Sequence, residues 1–235
     1  KIKKKEQLQV ASSDFSPHIY ISTFASQEDF AKAYEARIAD KSLVTPEIQK
    51  MADEITKDVD KKVVADKALN LKKEQARALY NWVSRNIRYV AIYLGDGGIV
   101  PHDATSILKN RYGDCKDHNA LLIALLAAKG IKASSALINS GEAHQLHKLG
   151  AVSPFNHVIT YIPQWDLYLD STAELAPFDI LPASVLDKPV VLTALGIYGN
   201  TPKMTAEANQ LKTTVHIAID PEGRMSGSSE TQYFG

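Results

Sequence analysis

Apolar stripes of helical spacing, separated by polar breaks, make up much of the first part of the chain. Residues 1–24 are the exception, because apolar and polar positions alternate after Pro17 in the manner of an extended strand. Helices are predicted at about residues 27–40, 46–59 and 72–87, since apolar residues recur there every three or four positions. The amino-terminal part of the protein is therefore expected to be mainly helical.

A helix of a different kind is predicted between about residues 115 and 129. Residues 121–128 are apolar all round, which is typical of a helix that is surrounded by protein rather than laid on its surface. Gly130 is a natural end point, because glycine readily adopts the left-handed conformation that follows a last helical turn. We therefore expect this helix to be buried.

Strand patterns replace helical ones after this helix. Strands are predicted at residues 131–139, 156–162 and 165–170, with a polar loop at 140–154 between the first two. The chain thus has helices first, then a buried helix, then antiparallel strands. This order predicts an α+β fold in which the sheet packs on the buried helix.

The carboxyl-terminal part of the chain has two different sequence patterns. Residues 174–210 hold many prolines and small residues and are expected to wrap the domain. Residues 213–219 and the chain from Met225 onward flank a turn at 221–223, which predicts a β-hairpin. This hairpin is expected to begin a further β module.

Composition and charge narrow the possible functions. Lysine plus arginine number 27, as do aspartate plus glutamate, and this neutral balance argues against a nucleic-acid-binding surface. The longest strongly apolar stretch, residues 120–128, is shorter than the roughly 20 residues that a membrane-spanning helix needs. No cofactor signature occurs in the sequence. We therefore expect a globular protein with no nucleic-acid partner, no membrane span and no cofactor.

The chain contains a single cysteine, Cys115, at the start of the buried helix. Asp114 is predicted to cap this helix, which places Cys115 in the first turn, where free amide groups carry partial positive charge. That setting favours the nucleophilic thiolate and offers donors for the oxyanion of a tetrahedral intermediate. A small buried cysteine that merely starts a helix would show the same pattern. The Cys115-x-x-His118 spacing lacks the further ligands that zinc requires, so no metal site is predicted.

A histidine and an aspartate are predicted to face each other in the strand pair that follows. If the turn is centred between residues 163 and 164, His157 lies opposite Asp170, with both side chains on one face of the sheet. Asp170 would then accept a hydrogen bond from one ring nitrogen of His157 and leave the other nitrogen for a thiol. A surface ion pair would show the same pattern, and a slip of one residue in the turn would break the pairing.

Three motifs occur in order and together resemble one family. They are Tyr112-Gly113-Asp114-Cys115-Lys116-Asp117, Phe155-Asn156-His157-Val158 and Tyr168-Leu169-Asp170-Ser171-Thr172. With the apolar helix between the first two motifs, they resemble the core of bacterial transglutaminase-like proteins, which belong with the papain-like cysteine enzymes. The resemblance covers about residues 70–175. It implies a papain/transglutaminase-like core in which Cys115 is the nucleophile, His157 the base and Asp170 the residue that orients the base.

The same resemblance implies an activity, a domain arrangement and a location. The activity is thiol-dependent acyl transfer on protein or peptide amides through a thioester, as in a cysteine protease, a deamidase or a transglutaminase. Residues 1–25 are expected to end a preceding β domain, residues 26–210 to form the transglutaminase-like domain and residues 211–235 to begin a following β module. Many such bacterial proteins are exported to the periplasm or the cell surface, and that location is expected here. Animal-type transglutaminases carry tryptophan where this chain has Lys116, so protein crosslinking is not specifically implied.

Two other functions remain open at this stage. A module that keeps the three residues but lacks an open cleft would serve as a peptide-binding or scaffold domain, and a closed site under the loop at 140–154 would favour it. Acyl transfer to small amines, as in arylamine acetyltransferases, would use the same set of cysteine, histidine and aspartate. Tyr89 or Tyr93 could supply a second oxyanion donor, but spacing does not choose between them, and core packing is the more common role for such tyrosines.

Overall fold

The structure, a computed structural model, describes residues 9–65, 70–91, 98–207 and 209–234. Two compact units divide the chain, Lys1–Thr201 and Pro202–Gly235. In the larger unit the helices are α1 (Gln27–Ile38), α2 (Pro46–Ala65), α3 (Leu71–Asn86), α4 (Ala104–Asn110) and α5 (Cys115–Ala128). Its strands are β1 (Arg88–Tyr89), β2 (Tyr112–Gly113), β3 (Ser134–Ile138), β4 (His157–Ile162), β5 (Leu167–Leu169), β6 (Pro189–Leu192) and β7 (Ile197–Asn200). The smaller unit holds β8 (Gln210–Ile219) and β9 (Met225–Phe234).

The predicted mixture of helices and antiparallel strands is confirmed, with a larger sheet than expected. The main sheet has the strand order β5-β4-β3-β6-β7, and every neighbouring pair in it is antiparallel. Residues 174–210, which were expected to wrap the domain, also supply β6 and β7 to this sheet. Pro189 is compatible with β6 because it is the first residue of that strand, where the missing amide hydrogen costs least.

The segment before α1 joins no sheet among the described residues, so the strand predicted after Pro17 is wrong. From residue 9 to residue 24, the only regular structure is a short 3-10 turn at Ser12–Asp14. Ile19 and Ile21, whose alternation suggested a strand, are 89% and 87% exposed. Alternation alone does not form a strand when no neighbouring strand is available to bond its backbone groups.

Helix α5 lies in the main hydrophobic core. Its Leu121, Leu125 and Leu126 have no exposed surface, and they belong to one cluster with Ile162 and Leu169 of the sheet and with residues of α2, α3 and α4. Each buried leucine of this kind contributes roughly 1.5–3 kcal/mol to stability. None of the helices in the described part of the chain combines the length and the apolar character needed to cross a bilayer.

Helix α1 packs on the sheet beside α5. Phe30 and Tyr34 of α1 form a second cluster with Leu137 of β3, Val158 of β4 and Val191 of β6. The helix begins at a cap in which the hydroxyl of Ser26 accepts a hydrogen bond from the amide of Asp29. These contacts bring α1, which lies far from α5 in sequence, next to the central strands.

A buried polar network joins α5 to the same sheet face. The side-chain amide of Asn119 donates to the hydroxyl of Ser135 on β3 at 2.6 Å, and its carbonyl accepts from the hydroxyl of Thr160 on β4 at 2.9 Å. All three residues are buried. Because alternate residues of a strand share a face, Thr160 and Val158 point to the same side of the sheet. Helices α1 and α5 therefore cover one face together.

The smaller unit is an antiparallel hairpin, as predicted for this part of the sequence. Its register runs from Gln210 opposite Phe234 to Ile219 opposite Met225. The turn between the strands uses Gly223 at a φ of +80°, a conformation that glycine adopts without strain. The expected division of the chain at residues 25 and 210 into three domains remains a prediction.

We predict that Asn119→Ala lowers the free energy of unfolding by roughly 2–4 kcal/mol, because it leaves the buried hydroxyls of Ser135 and Thr160 without a partner. Urea unfolding monitored by circular dichroism measures this change. Asn110→Ala, at an exposed position at the end of α4, is the matched control and is expected to stay within about 0.5 kcal/mol of the parent. Equal stabilities of the two variants would show that the network does not hold α5 to the sheet.

Candidate active site

Cys115 is the first residue of α5, directly after the residue that caps it. Asp114 accepts a hydrogen bond from the amide of Lys116 at 3.2 Å, and Asp117 accepts from the amide of Asp114 at 3.2 Å, which completes a capping box. Among the described residues, the amide of Cys115 donates to no protein acceptor. One free donor therefore remains beside the sulfur, at the positive end of the helix.

The residue before the cap must be a glycine. A Cβ at Gly113 would lie 2.4 Å from Cβ of Asp117, which is closer than two carbon atoms can approach. Asp117 has no room to move, since it is fully buried and also accepts from the amide of His102 at 2.8 Å. The carbonyl of Gly113 is in turn held by the amide of Val90 at 2.8 Å. The loop that delivers Cys115 is thus fixed on several sides.

Lys116 forms a buried ion pair next to the cysteine. Its ammonium group contacts the carboxylate of Asp114, and the two side chains are only 7% and 1% exposed. Buried charges are tolerated when they are paired, because each replaces the water that the other has lost. Both residues line the pocket that contains Cys115, so the wall that they form carries no net charge.

His157, the first residue of β4, binds the aspartate predicted from the sequence. Its Nε2 lies 2.8 Å from Oδ2 of Asp170, which follows the end of β5. The predicted register, however, is wrong by two positions. The structure pairs Thr160 with Leu169, whereas His157 opposite Asp170 would require Val158 to pair with Leu169. His157 and Asp170 therefore meet diagonally across the strand pair rather than face to face.

The longer connection between the strands explains this shift. A 3-10 turn at Pro163–Trp165 is followed by Asp166 in the left-handed conformation at a φ of 47°, so four residues rather than two separate the paired positions. Side chains alternate between the faces with a period of two, and a two-residue shift therefore keeps each side chain on its original face. The error in register consequently left the predicted contact of His157 with Asp170 intact.

Neighbouring groups hold Asp170 in place. Its Oδ1 accepts from the amide of Thr172 at 3.0 Å and from the hydroxyl of the same residue at 2.6 Å. The hydroxyl of Tyr80 donates to the backbone carbonyl of Asp170 at 3.1 Å, and Nδ1 of His118 lies 3.1 Å from the carbonyl of Ser171. One carboxylate oxygen is thereby occupied, and the other is directed to His157.

The protonation states of His157 and Asp170 follow from the groups that surround them. Burial lowers the pKa of His157, but hydrogen bonds to Asp170 and Cys115, together with the negative charges of both, raise it to about 10. Burial raises the pKa of Asp170, yet the hydrogen bond and positive charge of His157 and the bonds from Thr172 lower it below its ordinary value. The imidazole ring is therefore a cation at neutral pH. Because Nε2 binds Asp170, Nδ1 is the nitrogen that remains for the sulfur of Cys115.

A pocket of about 360 Å³ contains both Cys115 and His157. Tyr34 of α1 also lines this pocket, and among the described residues its hydroxyl has no hydrogen-bond partner. Burial raises the pKa of Tyr34, and the charge of Cys115 raises it further, so the hydroxyl stays neutral and can donate. Tyr34 was not predicted from the sequence, because its place in the apolar stripe of α1 is that of an ordinary core residue.

The remaining candidates from the sequence lie elsewhere. Tyr89 lines a separate depression of about 420 Å³ that includes His157 and Asp170 but not Cys115. Tyr93 lies outside the described residues. His118 is buried, and in the described ranges no three histidine, cysteine, aspartate or glutamate residues form a group that could hold a metal ion.

Comparisons with known proteins give one family match to a segment of the chain and similar solved structures. The family model of the transglutaminase-like superfamily matches residues 50–145, a range that includes Cys115 and ends before His157. A crystal structure of a "putative protease" from Parabacteroides distasonis ATCC 8503 is similar over 92% of this chain and 42% of that chain, with a TM-score of 0.61 and 19% identity. A "putative cysteine protease" from Cytophaga hutchinsonii is similar over 57% of this chain and 39% of that chain, with a TM-score of 0.37 and 19% identity. None of the curated proteins matches the chain.

The match over residues 50–145 confirms the transglutaminase-like resemblance for that segment. The Parabacteroides protein shares the fold, at a TM-score of 0.61. The chain spans less than half the length of either of these solved structures, at 42% and 39%.

We predict that Asp170→Asn lowers the pKa of His157 from about 10, because the variant removes a negative charge from the ring while an amide oxygen still accepts the hydrogen bond. Titration of the imidazole by NMR measures the shift, and Cys115→Ala is expected to change it in the same direction. The control is Asp166→Asn. Asp166 is an exposed aspartate of the same hairpin, and its carboxylate accepts a hydrogen bond from Tyr161 rather than from His157. An unchanged pKa in Asp170→Asn would mean that the carboxylate does not act on His157.

Proposed function

Because residues 50–145 carry a transglutaminase-like segment, we propose that this protein is a thiol-dependent acyl-transfer enzyme that acts on protein or peptide amides. In this proposal Cys115 is the nucleophile, His157 is the acid and base, and Asp170 orients His157. The observation that carries the proposal is that Cys115, at the beginning of α5, shares a pocket with His157, whose Nε2 lies 2.8 Å from Oδ2 of Asp170. This is the arrangement that a papain/transglutaminase-like core would require.

The first half of the reaction forms a thioester. In this proposal the proton of Cys115 already lies on His157 at rest, and the thiolate attacks the carbonyl carbon of the amide. The carbonyl oxygen becomes an oxyanion, and Nδ1 of His157 then gives its proton to the amide nitrogen. The carbon–nitrogen bond breaks, an amine leaves, and the acyl group stays on the sulfur. The high pKa of His157 supports this order, because a cationic ring has a proton ready for the amine.

The second half returns the enzyme to its starting state. His157, now neutral, takes a proton from a water molecule or from a second amine, which attacks the thioester carbonyl. The sulfur leaves, and the product is an acid in the first case and a new amide in the second. A protease, a deamidase and a transglutaminase differ only in the amide attacked and the acceptor used.

Two donors are proposed for the oxyanion. The amide of Cys115 is one, since it donates to no acceptor in the described part of the chain and lies at the positive end of α5. The hydroxyl of Tyr34 is the other, because it lines the same pocket and has no partner among the described residues. Tyr89 is less suitable, since it lines the depression that lacks Cys115.

The pocket at Cys115 favours an enzyme over a silent scaffold module. Cys115 is only partly buried, and the loop at 140–154, which would cover the site in a scaffold module, contributes Val152 to the wall of the pocket. The activity of the complete protein, its export to the periplasm or cell surface, and the division into domains at residues 25 and 210 remain proposals of the same kind.

We predict that iodoacetamide alkylates Cys115 at pH 6 about tenfold or more faster than it alkylates free cysteine, which holds little thiolate at that pH. Intact-protein mass spectrometry reports the reaction at one site, since the chain has a single cysteine. His157→Gln is expected to slow alkylation to the rate of free cysteine, and Cys115→Ala to abolish it. If the parent protein reacts no faster than free cysteine, the proposed function is wrong.

We predict that Tyr34→Phe slows acylation of Cys115 by p-nitrophenyl acetate by up to about 100-fold, because acylation passes through an oxyanion. Alkylation by iodoacetamide forms no oxyanion, and its rate is expected to remain unchanged. The release of p-nitrophenol, followed by absorbance, measures the first reaction. The control is Tyr161→Phe, whose hydroxyl binds Asp166 away from the pocket. Equal slowing of both reactions by Tyr34→Phe would indicate a packing role instead.

A further inference from the structure

The pocket beside Cys115 has mainly apolar walls. Apart from the groups already assigned to the reaction, its lining is mainly apolar and comes from α1, the sheet and the loops near residues 99 and 152. The apolar side chains are those of Phe30, Ile99, Leu137, Val152, Phe155 and Val158. The volume of about 360 Å³ falls within the range of small-molecule sites and is large enough for a leucine or phenylalanine side chain.

The deep walls of the pocket are parts of a packed core. Phe30, Leu137 and Val158 are 3%, 5% and 4% exposed and belong to the cluster that joins α1 to the sheet. The ring of Phe30 stacks on the ring of Phe155, with centroids 5.9 Å apart and an angle of 3° between the planes. An apolar site that is already formed loses little free energy to ordering when a ligand enters it.

Within the described lining, no charge is left unpaired to recognise a charged side chain. Asp114 pairs with Lys116, and His157 pairs with Asp170 and, in the proposed function, with the thiolate of Cys115. A carboxylate or an ammonium group that entered the pocket would lose its water and gain no new partner. An apolar group would lose no such interaction.

The position of the pocket identifies the part of the substrate that occupies it. The acyl group remains on the sulfur after the amine has left, and the sulfur lies in this pocket. The depression on the Asp170 side of His157 is lined mainly by polar residues, including Ser140, Thr172 and Ser184, and does not contain Cys115. The apolar pocket is therefore on the acyl side of the bond that breaks.

We propose that this pocket selects amides whose acyl portion carries an uncharged apolar side chain, such as that of leucine or phenylalanine. The proposal rests on the proposed function, because it assumes that Cys115 is acylated. It narrows the substrate class to peptide bonds or amides that follow an apolar residue.

The test uses N-acetyl amino acid chloromethyl ketones, which carry a side chain next to the carbonyl that approaches the sulfur. Probes with leucine, phenylalanine, glutamine, glutamate and lysine side chains are compared, each rate being divided by its rate with glutathione. The leucine and phenylalanine probes are expected to label Cys115 about 10- to 100-fold faster than the glutamate and lysine probes. Mass spectrometry of the intact protein gives the rates.

Variants at Val152 show whether the pocket causes the preference. Val152 is 42% exposed, so a charged side chain there can remain in contact with water. Val152→Lys is expected to raise the rate of the glutamate probe relative to iodoacetamide, and Val152→Asp that of the lysine probe. Leu149→Asp changes an apolar residue of the same loop that is 37% exposed and does not line the pocket, and it is expected to leave all ratios unchanged.

The outcomes separate this inference from the proposed function. If iodoacetamide and all probes label Cys115 no faster than they label glutathione, the proposed function fails. If iodoacetamide reacts rapidly but the five probes are equivalent, only the apolar selectivity is overturned. A preference for the glutamine probe over the leucine and phenylalanine probes would overturn it as well, and would indicate an amide-bearing acyl donor.

Discussion

The candidate site depends on the hydrogen bonds of Asn119, although Asn119 does not reach the pocket. Cys115 and Asn119 lie one helical turn apart on the same side of α5, and Thr160 lies three residues from His157 on β4. The bond between Asn119 and Thr160, at 2.9 Å, therefore fixes the position of α5 along β4 close to the pocket that Cys115 and His157 share. Leucine packing alone would permit the helix to slide, since apolar contacts have little directional preference. A buried amide would lose its partners if the helix moved by even a fraction of a turn.

Most of the described charged groups near the site are occupied by structural partners, and Cys115 and His157 are the pair proposed to react. Asp114 is neutralised by Lys116, and Asp117 is used by backbone amides of the cap and of the preceding loop. Asp170 is shared between Thr172 and His157. The remaining pair consists of Cys115 and His157, and no further carboxylate competes for the ring of His157 among the contacts described. A buried ring whose Nε2 binds one carboxylate can hold its proton on the other nitrogen and still give it up to a leaving amine.

The sequence was sufficient for contacts that depend on local rules and insufficient for those that depend on distant packing. The cap at Asp114 and the buried helix after Cys115 follow from residue type and spacing, and both are present. The contact of His157 with Asp170 was reached with a register that is off by two positions, and it survived because side-chain direction in a strand depends only on parity. The strand expected after Pro17 did not form, because alternation says nothing about whether a partner strand is near. Tyr34 could not be identified, since its approach to Cys115 arises from the packing of α1 on the sheet.

The family match covers the proposed nucleophile but not most of the residues that would determine substrate selectivity. Cys115, with its capping residues, lies within residues 50–145. Phe30 and Tyr34 precede that range, and Val152 and Phe155 follow it, so most of the wall that would contact an acyl side chain comes from outside the matched segment. The match over residues 50–145 therefore includes Cys115 at its helix start without carrying any information about the substrate. Selectivity instead depends on the shape and charge of the pocket in this chain. Its apolar walls and internally paired charges favour an acyl group without charge and without polar atoms that would be left unsatisfied.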